Sequence, residues 1–299
     1  MFNGSYVALV TPFRKGRLDE VRLKSLVEFH VEHGSDGLVP CGTTGESPTL
    51  SHDEHRRVVE VVVKAARGRI PVMAGAGSNS TQESLELVRH AHKVGAQGAL
   101  LVVPYYNKPT AAGLYAHFKT IAKATPLPLV LYNIPSRTGI NMPVETVVRL
   151  AEDCRTLVGI KEASGSVDYA SQLLATLGAD RFVVLSGDDS LTLPLMSVGA
   201  RGVISVLANI LPEAVSELCR SAAHGDYERA RELHLQTFPL VRMLFVETNP
   251  IPVKTAMGAL GLCRDELRLP LAPIGPENRR KLLDALKTCP LLRLPIRGH

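Results

Sequence analysis

No uninterrupted apolar run in the 299-residue chain approaches the roughly 18 residues that a membrane-spanning helix needs, so no membrane partner is expected. The opening residues, Met1-Phe2-Asn3-Gly4-Ser5, lack the basic segment and apolar stretch of a secretory signal, and the cytoplasm is the expected location. Cysteine is sparse and unpatterned. Cys41, Cys154, Cys219, Cys263 and Cys289 are odd in number, far apart, and never in a Cys-x-x-Cys or Cys/His group. That argues against a disulfide framework and a structural zinc, and no metal is expected. Charge of one sign is also modest, at a net +5. The densest basic stretch, Asn278-Arg279-Arg280-Lys281, falls on an amphipathic helical pattern with no nucleic-acid motif beside it. It reads as a solvated face, and no nucleic-acid partner is expected. No Gly-x-Gly-x-x-Gly follows the first strand-like run, which counts against a doubly wound dinucleotide fold.

What is present is a composition of 45% hydrophobic and 21% charged residues, that of a soluble globular protein with a sizeable core. Short β-type runs alternate with helical patterns, the rhythm of βα units. Strands are expected at Tyr6–Val10, Gly37–Pro40, Pro71–Ala74, Ala99–Val103, Leu129–Tyr132, Val158–Lys161, Phe182–Leu185 and Gly202–Val206. Three junctions repeat one phrase: Gly34-Ser-Asp-Gly37, Gly95-Ala-Gln-Gly98 and Gly199-Ala-Arg-Gly202. In each, the first glycine can close a helix in the left-handed conformation and the second opens the next strand. Ser51 with Glu54, and Ser80 with Glu83, fit the spacing of helix capping boxes. The fold expected is α/β: a (β/α)8 TIM barrel over residues 1–224, with a small C-terminal α-helical subdomain over 225–299.

In such a barrel the chemistry gathers where strands end. Four of the expected strand ends are unusual: Cys41-Gly42-Thr43-Thr44-Gly45-Glu46, Pro104-Tyr105-Tyr106-Asn107-Lys108-Pro109, Tyr132-Asn133-Ile134-Pro135-Ser136-Arg137-Thr138-Gly139, and Lys161. Taken singly, each has an ordinary explanation as a turn, a packed tyrosine, a surface arginine or a solvated lysine. Together they place an amine, a glycine-flanked pair of hydroxyls suited to an anion, phenols and a guanidinium at one mouth. Imine chemistry on a keto acid needs that set. Strand alternation puts Lys161 on the same face as Gly159, whose missing side chain would leave room for a bound keto acid. Burial there would lower the lysine pKa. Glu162 falls on the opposite face and is not expected to be the base. Lys254, the competing lysine, lies in the C-terminal helical region, where a structural or interface role is expected. Of Asp188 and Asp189, one is expected to cap the helix that follows. His52 and His55 are one helical turn apart, but the capping box explains that turn without a metal.

"GTTGE", "PYYNKP", "YNIPSRTG", "GIKEASG", "GVISV" and "NPIPVK" occur in an order and spacing that closely resemble the dihydrodipicolinate synthase family, among the pyruvate-dependent class I aldolases. The resemblance runs nearly the whole length. It implies a covalent Schiff base between pyruvate and Lys161, with no other cofactor. The enamine formed from it would attack L-aspartate 4-semialdehyde, and the product would be 4-hydroxy-tetrahydrodipicolinate, in lysine and diaminopimelate biosynthesis. Tyr132 would carry protons, linked through Thr44 to Tyr106, the latter reaching in from a neighbouring subunit. Thr43 and Thr44 would hold the pyruvate carboxylate and Arg137 that of the semialdehyde. Ile204 would offer its backbone carbonyl near the lysine. The resemblance also implies a homotetramer built as a dimer of dimers. It further implies feedback inhibition by L-lysine at Ser47, Pro48, His52, His55, Asn79, Glu83 and Tyr105.

Pro48, Cys41 and Leu207 depart from the family's frequent residues, and the tail from Leu291 to His299 runs slightly past the usual end. Two other readings stand beside the synthase. One is another pyruvate-dependent Schiff-base aldolase, N-acetylneuraminate lyase-like or acting on 2-keto-3-deoxy sugar acids, against which Arg137 argues. The other is a non-catalytic barrel binding a keto acid or lysine, which would have no need of a proton relay.

Overall fold

The computed structural model describes residues 2–296. Eight parallel strands make one sheet: β1 (Gly4–Ala8), β2 (Gly37–Val39), β3 (Met73–Gly75), β4 (Gly98–Val102), β5 (Leu129–Asn133), β6 (Leu157–Glu162), β7 (Val183–Ser186) and β8 (Gly202–Ser205). β1 pairs with both β2 and β8, and from β3 to β8 each strand pairs with the next. The remaining seam, β2 to β3, is closed by a bridge between Leu38 and Val72 and by Gly75 N–H donating to Pro40 O at 2.9 Å. The sheet is therefore a closed barrel, each of its eight strands flanked by a neighbour on both sides.

Both faces of each strand are buried, which explains why the strands appear in the sequence as continuous apolar runs rather than alternating ones. Outward side chains such as Val7, Leu101, Leu129, Leu131, Ile160 and Val184 join the helices in the larger core. Inward ones, among them Tyr6, Met73, Leu100, Val130, Tyr132, Leu185 and Ile204, fill the barrel itself. The helices α1 (Glu20–Glu32), α2 (His52–Ala66), α3 (Thr81–Lys93), α4 (Ala111–Lys123), α5 (Val144–Asp153), α6 (Val167–Leu177), α7 (Thr192–Ser197) and α8 (Pro212–Ala223) cover the strands. Beyond them run α9 (Tyr227–Leu244), α10 (Ile251–Ala259) and α11 (Pro276–Thr288), with α9 packed on α8 and α11. The last three residues of the expected 225–299 segment, and of the tail from Leu291, lie outside the described residues. No helix among the described residues is long and apolar enough to cross a membrane.

The repeated glycine phrase has a physical cause. Gly34, Gly95 and Gly199 close their helices at φ +71°, +87° and +108°. The second glycines serve the floor of the barrel. A Cβ on Gly37 would lie 2.1 Å from the Tyr6 ring, one on Gly98 2.5 Å from the Phe2 ring, and one on Gly202 2.0 Å from Gly4 O. Of the two capping boxes, Ser51 and Glu54 make both reciprocal bonds. The second is only half made. Ser80 Oγ accepts from Glu83 N–H at 3.4 Å, but the Glu83 carboxylate turns away to the Ser78 hydroxyl and towards His52.

Candidate active site

Lys161 sits near the C-terminal end of β6, in register with Tyr132 on β5 and Leu185 on β7. Its side chain points into the barrel and is 6% exposed, with Nζ 4.2 Å from the centroid of the Tyr132 ring. Burial pulls the ammonium pKa down to about 8; Arg137 pushes the same way, while Asp189 and Asp188 oppose it. An amine in that range is neutral for a substantial fraction of the time near physiological pH, as a nucleophile must be. Burial raises the Tyr132 phenol to about 12, partly countered by Thr43 and Arg137 beside it.

The room around Lys161 is not supplied by Gly159. A Cβ there would lie 2.4 Å from Val183 O, so the neighbouring strand occupies that space. Gly187, just past β7, is the glycine that accommodates the lysine: a Cβ on it would stand 3.1 Å from Lys161 Cε and 2.6 Å from Ala163 Cβ. Glu162 faces outward, fully paired, accepting from Asn133 Nδ2 at 2.9 Å and from Ser164 N–H at 2.5 Å.

A cavity of about 230 Å³ opens at this mouth, lined among others by Cys41, Thr43, Ser47, Pro48, Tyr105, Tyr132 and Arg137. Lys161 does not line it but lies against the ring of Tyr132, which does, and neither Thr44 nor Ile204 is on its wall. Ile204 instead packs inside the barrel on β8. The turn from Cys41 to Glu46 is tight: both end residues are non-glycine at positive φ, +57° and +54°, an arrangement that persists only where surroundings enforce it. Thr11 Oγ1 donates to Gly45 O at 2.6 Å, and Lys254 Nζ donates to Glu46 Oε1 at 2.6 Å and to Thr11 O at 3.0 Å. Lys254 and Glu46 are both wholly buried, so the rival lysine is half of an internal ion pair that pins the turn.

The expected link from Tyr132 through Thr44 takes a different form within the chain. Thr43 is the hydroxyl that stands by the phenol, while Thr44 Oγ1 accepts from Asn249 Nδ2 at 2.9 Å. Arg137, exposed on a single helical turn after β5, donates from Nη2 to Asn249 O at 3.1 Å. Tyr106 is 90% exposed at φ +71°, and one chain alone does not bring it to Tyr132. Asp188 caps the turn after β7 by accepting from Ser190 N–H at 3.0 Å. Asp189 is buried and accepts from Ser205 Oγ, Val206 N–H and Leu207 N–H. Leu207 is thus a buried core residue whose amide holds that carboxylate. Cys41 is buried, its Sγ near His55 O at 3.6 Å, and burial pushes the thiol well above its ordinary pKa.

Three of the seven residues expected for an inhibitor border the same cavity. Ser47, Pro48 and Tyr105 line it. Glu83 stands beyond them, half-buried, its Oε1 3.6 Å from His52 Nδ1 and its Oε2 bonded to Ser78. Asn79 O accepts from Asn107 Nδ2 at 2.9 Å. His55 is buried and its pKa falls to about 4, so it is neutral at physiological pH. Among the described residues no group of three or more His, Cys, Asp or Glu side chains is placed to hold a metal.

Asn249, Gly187 and Asp189 were not singled out for the site in the sequence. "NPIPVK" drew notice for the family resemblance and for Lys254, and the Asp188-Asp189 pair for a helix cap; nothing in their spacing links them to residues 44 and 161.

A closed eight-stranded parallel barrel, with a buried amine and a phenol at the C-terminal mouth, defines an enzyme of the (β/α)8 class. Comparison with known proteins narrows this: the chain belongs to the dihydrodipicolinate synthetase family, whose model matches residues 1–289. A 4-hydroxy-tetrahydrodipicolinate synthase of Aquifex aeolicus (strain VF5) is 54% identical over 287 residues, covering 96% of this chain and 97% of that protein. The crystal structure of dihydrodipicolinate synthase from Aquifex aeolicus superposes with a TM-score of 0.96 at 53% identity, covering 98% of this chain and 100% of that one. The synthase from Cyanidioschyzon merolae with lysine bound gives 0.94 at 42% identity, covering 97% and 99%.

Proposed function

We propose that this enzyme condenses pyruvate with L-aspartate 4-semialdehyde through a Schiff base on Lys161, releasing 4-hydroxy-tetrahydrodipicolinate. The observation that carries this reading is the placement of Lys161: an inward, buried amine with its pKa lowered to about 8, against the Tyr132 ring. Neutral Lys161 attacks the pyruvate ketone and one water leaves as the imine forms. Loss of a methyl proton gives the enamine, whose carbon bonds to the semialdehyde carbonyl carbon while that oxygen takes a proton. The substrate's own amine then displaces Lys161 at the imine carbon, closing the ring and returning the free lysine. Tyr132 carries the protons, and its high pKa keeps it a phenol between transfers.

Arg137 receives the carboxylate of the semialdehyde, for which an exposed guanidinium at the cavity wall is suited. The Thr43-Thr44 turn takes the pyruvate carboxylate and Ile204 offers its backbone carbonyl. Tyr106 completes the relay in the partner subunit of a tetramer assembled as a dimer of dimers; its exposure on one chain supports a role across an interface. No metal or other cofactor enters any of these steps. L-Lysine binds at Ser47, Pro48, His52, His55, Asn79, Glu83 and Tyr105, with its ammonium on the Glu83 carboxylate.

Rates with pyruvate and aspartate semialdehyde, set against pyruvate with sugar-derived aldehydes, test the acceptor. Turnover with the semialdehyde alone is expected. Preference for a sugar-derived aldehyde would overturn the assignment in favour of another pyruvate-dependent aldolase.

A further inference from the structure

We propose that Asn249 is a positioning residue of this site: its side-chain amide fixes which way the Thr44 hydroxyl points, and its main-chain carbonyl holds Arg137. The role rests on the reaction proposed for Lys161 and Tyr132.

Asn249 lies between α9 and α10, 205 positions from Thr44 in sequence, and is buried. Two loops of the barrel mouth meet on it. From the β2 side comes Thr44, whose Oγ1 accepts from Asn249 Nδ2 at 2.9 Å. From the β5 side comes Arg137, whose Nη2 donates to Asn249 O at 3.1 Å. The place of Asn249 is itself secured five residues on, where Lys254 is wholly buried against Glu46 and Thr11 O. Glu46 ends the turn that contains Thr44. The segment 249–254 thus grips that turn at two points.

A threonine hydroxyl has one hydrogen and two lone-pair directions. With an amide N–H on one lone pair, its hydrogen must point away from Asn249. No second partner for Thr44 Oγ1 occurs among the described residues, so that proton is free to be donated to the pyruvate carboxylate that the Thr43-Thr44 turn is proposed to take. Only a donor at position 249 achieves this. A carboxylate there would accept the threonine proton and reverse the bond. The other end of the same amide, Asn249 Oδ1, is buried with no partner. An unpaired buried oxygen is costly, and such a cost persists where the group it belongs to performs a task.

The test is a double-mutant cycle with Asn249→Ala, Asn249→Asp, Thr44→Val and the corresponding double variants, each checked for melting temperature. Alanine keeps the main-chain carbonyl and so keeps the Arg137 bond. The expected result is a fall in kcat of about ten- to a hundredfold for either Asn249 variant. The KM for the aldehyde moves little, and borohydride still traps pyruvate on Lys161. In the Thr44→Val background the same Asn249 changes should cost less than about threefold, because the hydroxyl they misdirect is gone. A loss below about threefold in the native background, or an equal loss in both backgrounds, overturns the proposal. Should the alanine variant fail to fold, Asn249→Asp, of nearly the same shape, decides by the same comparison. Native enzyme that neither traps pyruvate nor condenses it refutes the reaction instead, so the two failures are distinct.

Discussion

Replacing Lys161 by methionine should make the protein more stable while abolishing its activity. The folded state holds this ammonium at a pKa of about 8 instead of 10.5, and burial is the main cause. At about 1.4 kcal/mol per pH unit, the charged lysine costs the fold about 3 kcal/mol wherever both states carry the proton. That cost is full below pH 8. It falls as the folded-state lysine deprotonates between pH 8 and 10.5, and is nearly gone above 10.5, where the unfolded chain is neutral as well. Methionine has similar length and no charge, so Lys161→Met should gain about 2–3 kcal/mol at pH 7 and little at pH 10.5. Urea unfolding at one protein concentration, followed at pH 7, 9 and 10.5, measures the difference. A variant less stable at pH 7, or a gain that does not shrink with rising pH, refutes the reasoning.

Lys254→Met strands the Glu46 carboxylate in the interior and should destabilise by about 3–5 kcal/mol; adding Glu46→Gln should recover at least half, read from the same urea curves. Arg137→Ala should raise the KM for the semialdehyde by at least about tenfold. Because Arg137 lowers the Lys161 pKa, its removal should also move the pH midpoint of pyruvate-adduct formation upward, and a downward shift would count against the geometry. Tyr132→Phe should leave pyruvate trapping on Lys161 intact and reduce kcat by about a hundredfold or more. L-Lysine should inhibit native enzyme at up to millimolar concentration and Glu83→Gln much less; inhibition unaffected by that change removes Glu83 from the site.

The barrel was legible because buried parallel strands are apolar on both faces, and helix caps and closing glycines are local in sequence. Lys161 was legible for a related reason, since an alternating strand leaves only one face for it. Relations between strands were not. The space opposite Gly159 belongs to Val183 and the room for the lysine to Gly187, and both depend on how β6 and β7 stack. Long-range partners were equally hidden. Lys254 and Glu46 are 208 positions apart, and a charge pair with no exposure leaves no periodic trace. Thr44 was assigned to the tyrosine relay from a motif, whereas its bonding partner in the chain is Asn249. Spacing placed a reciprocal cap at Glu83, but its carboxylate is drawn to Ser78 and His52 instead.

The central claim is that Lys161 is the nucleophile. Incubation with pyruvate and borohydride, followed by peptide mass spectrometry, tests it most directly. The account predicts one reduced pyruvate adduct per chain, located on Lys161 and absent from Lys161→Met. An adduct on Lys254, or no adduct at all, would contradict it.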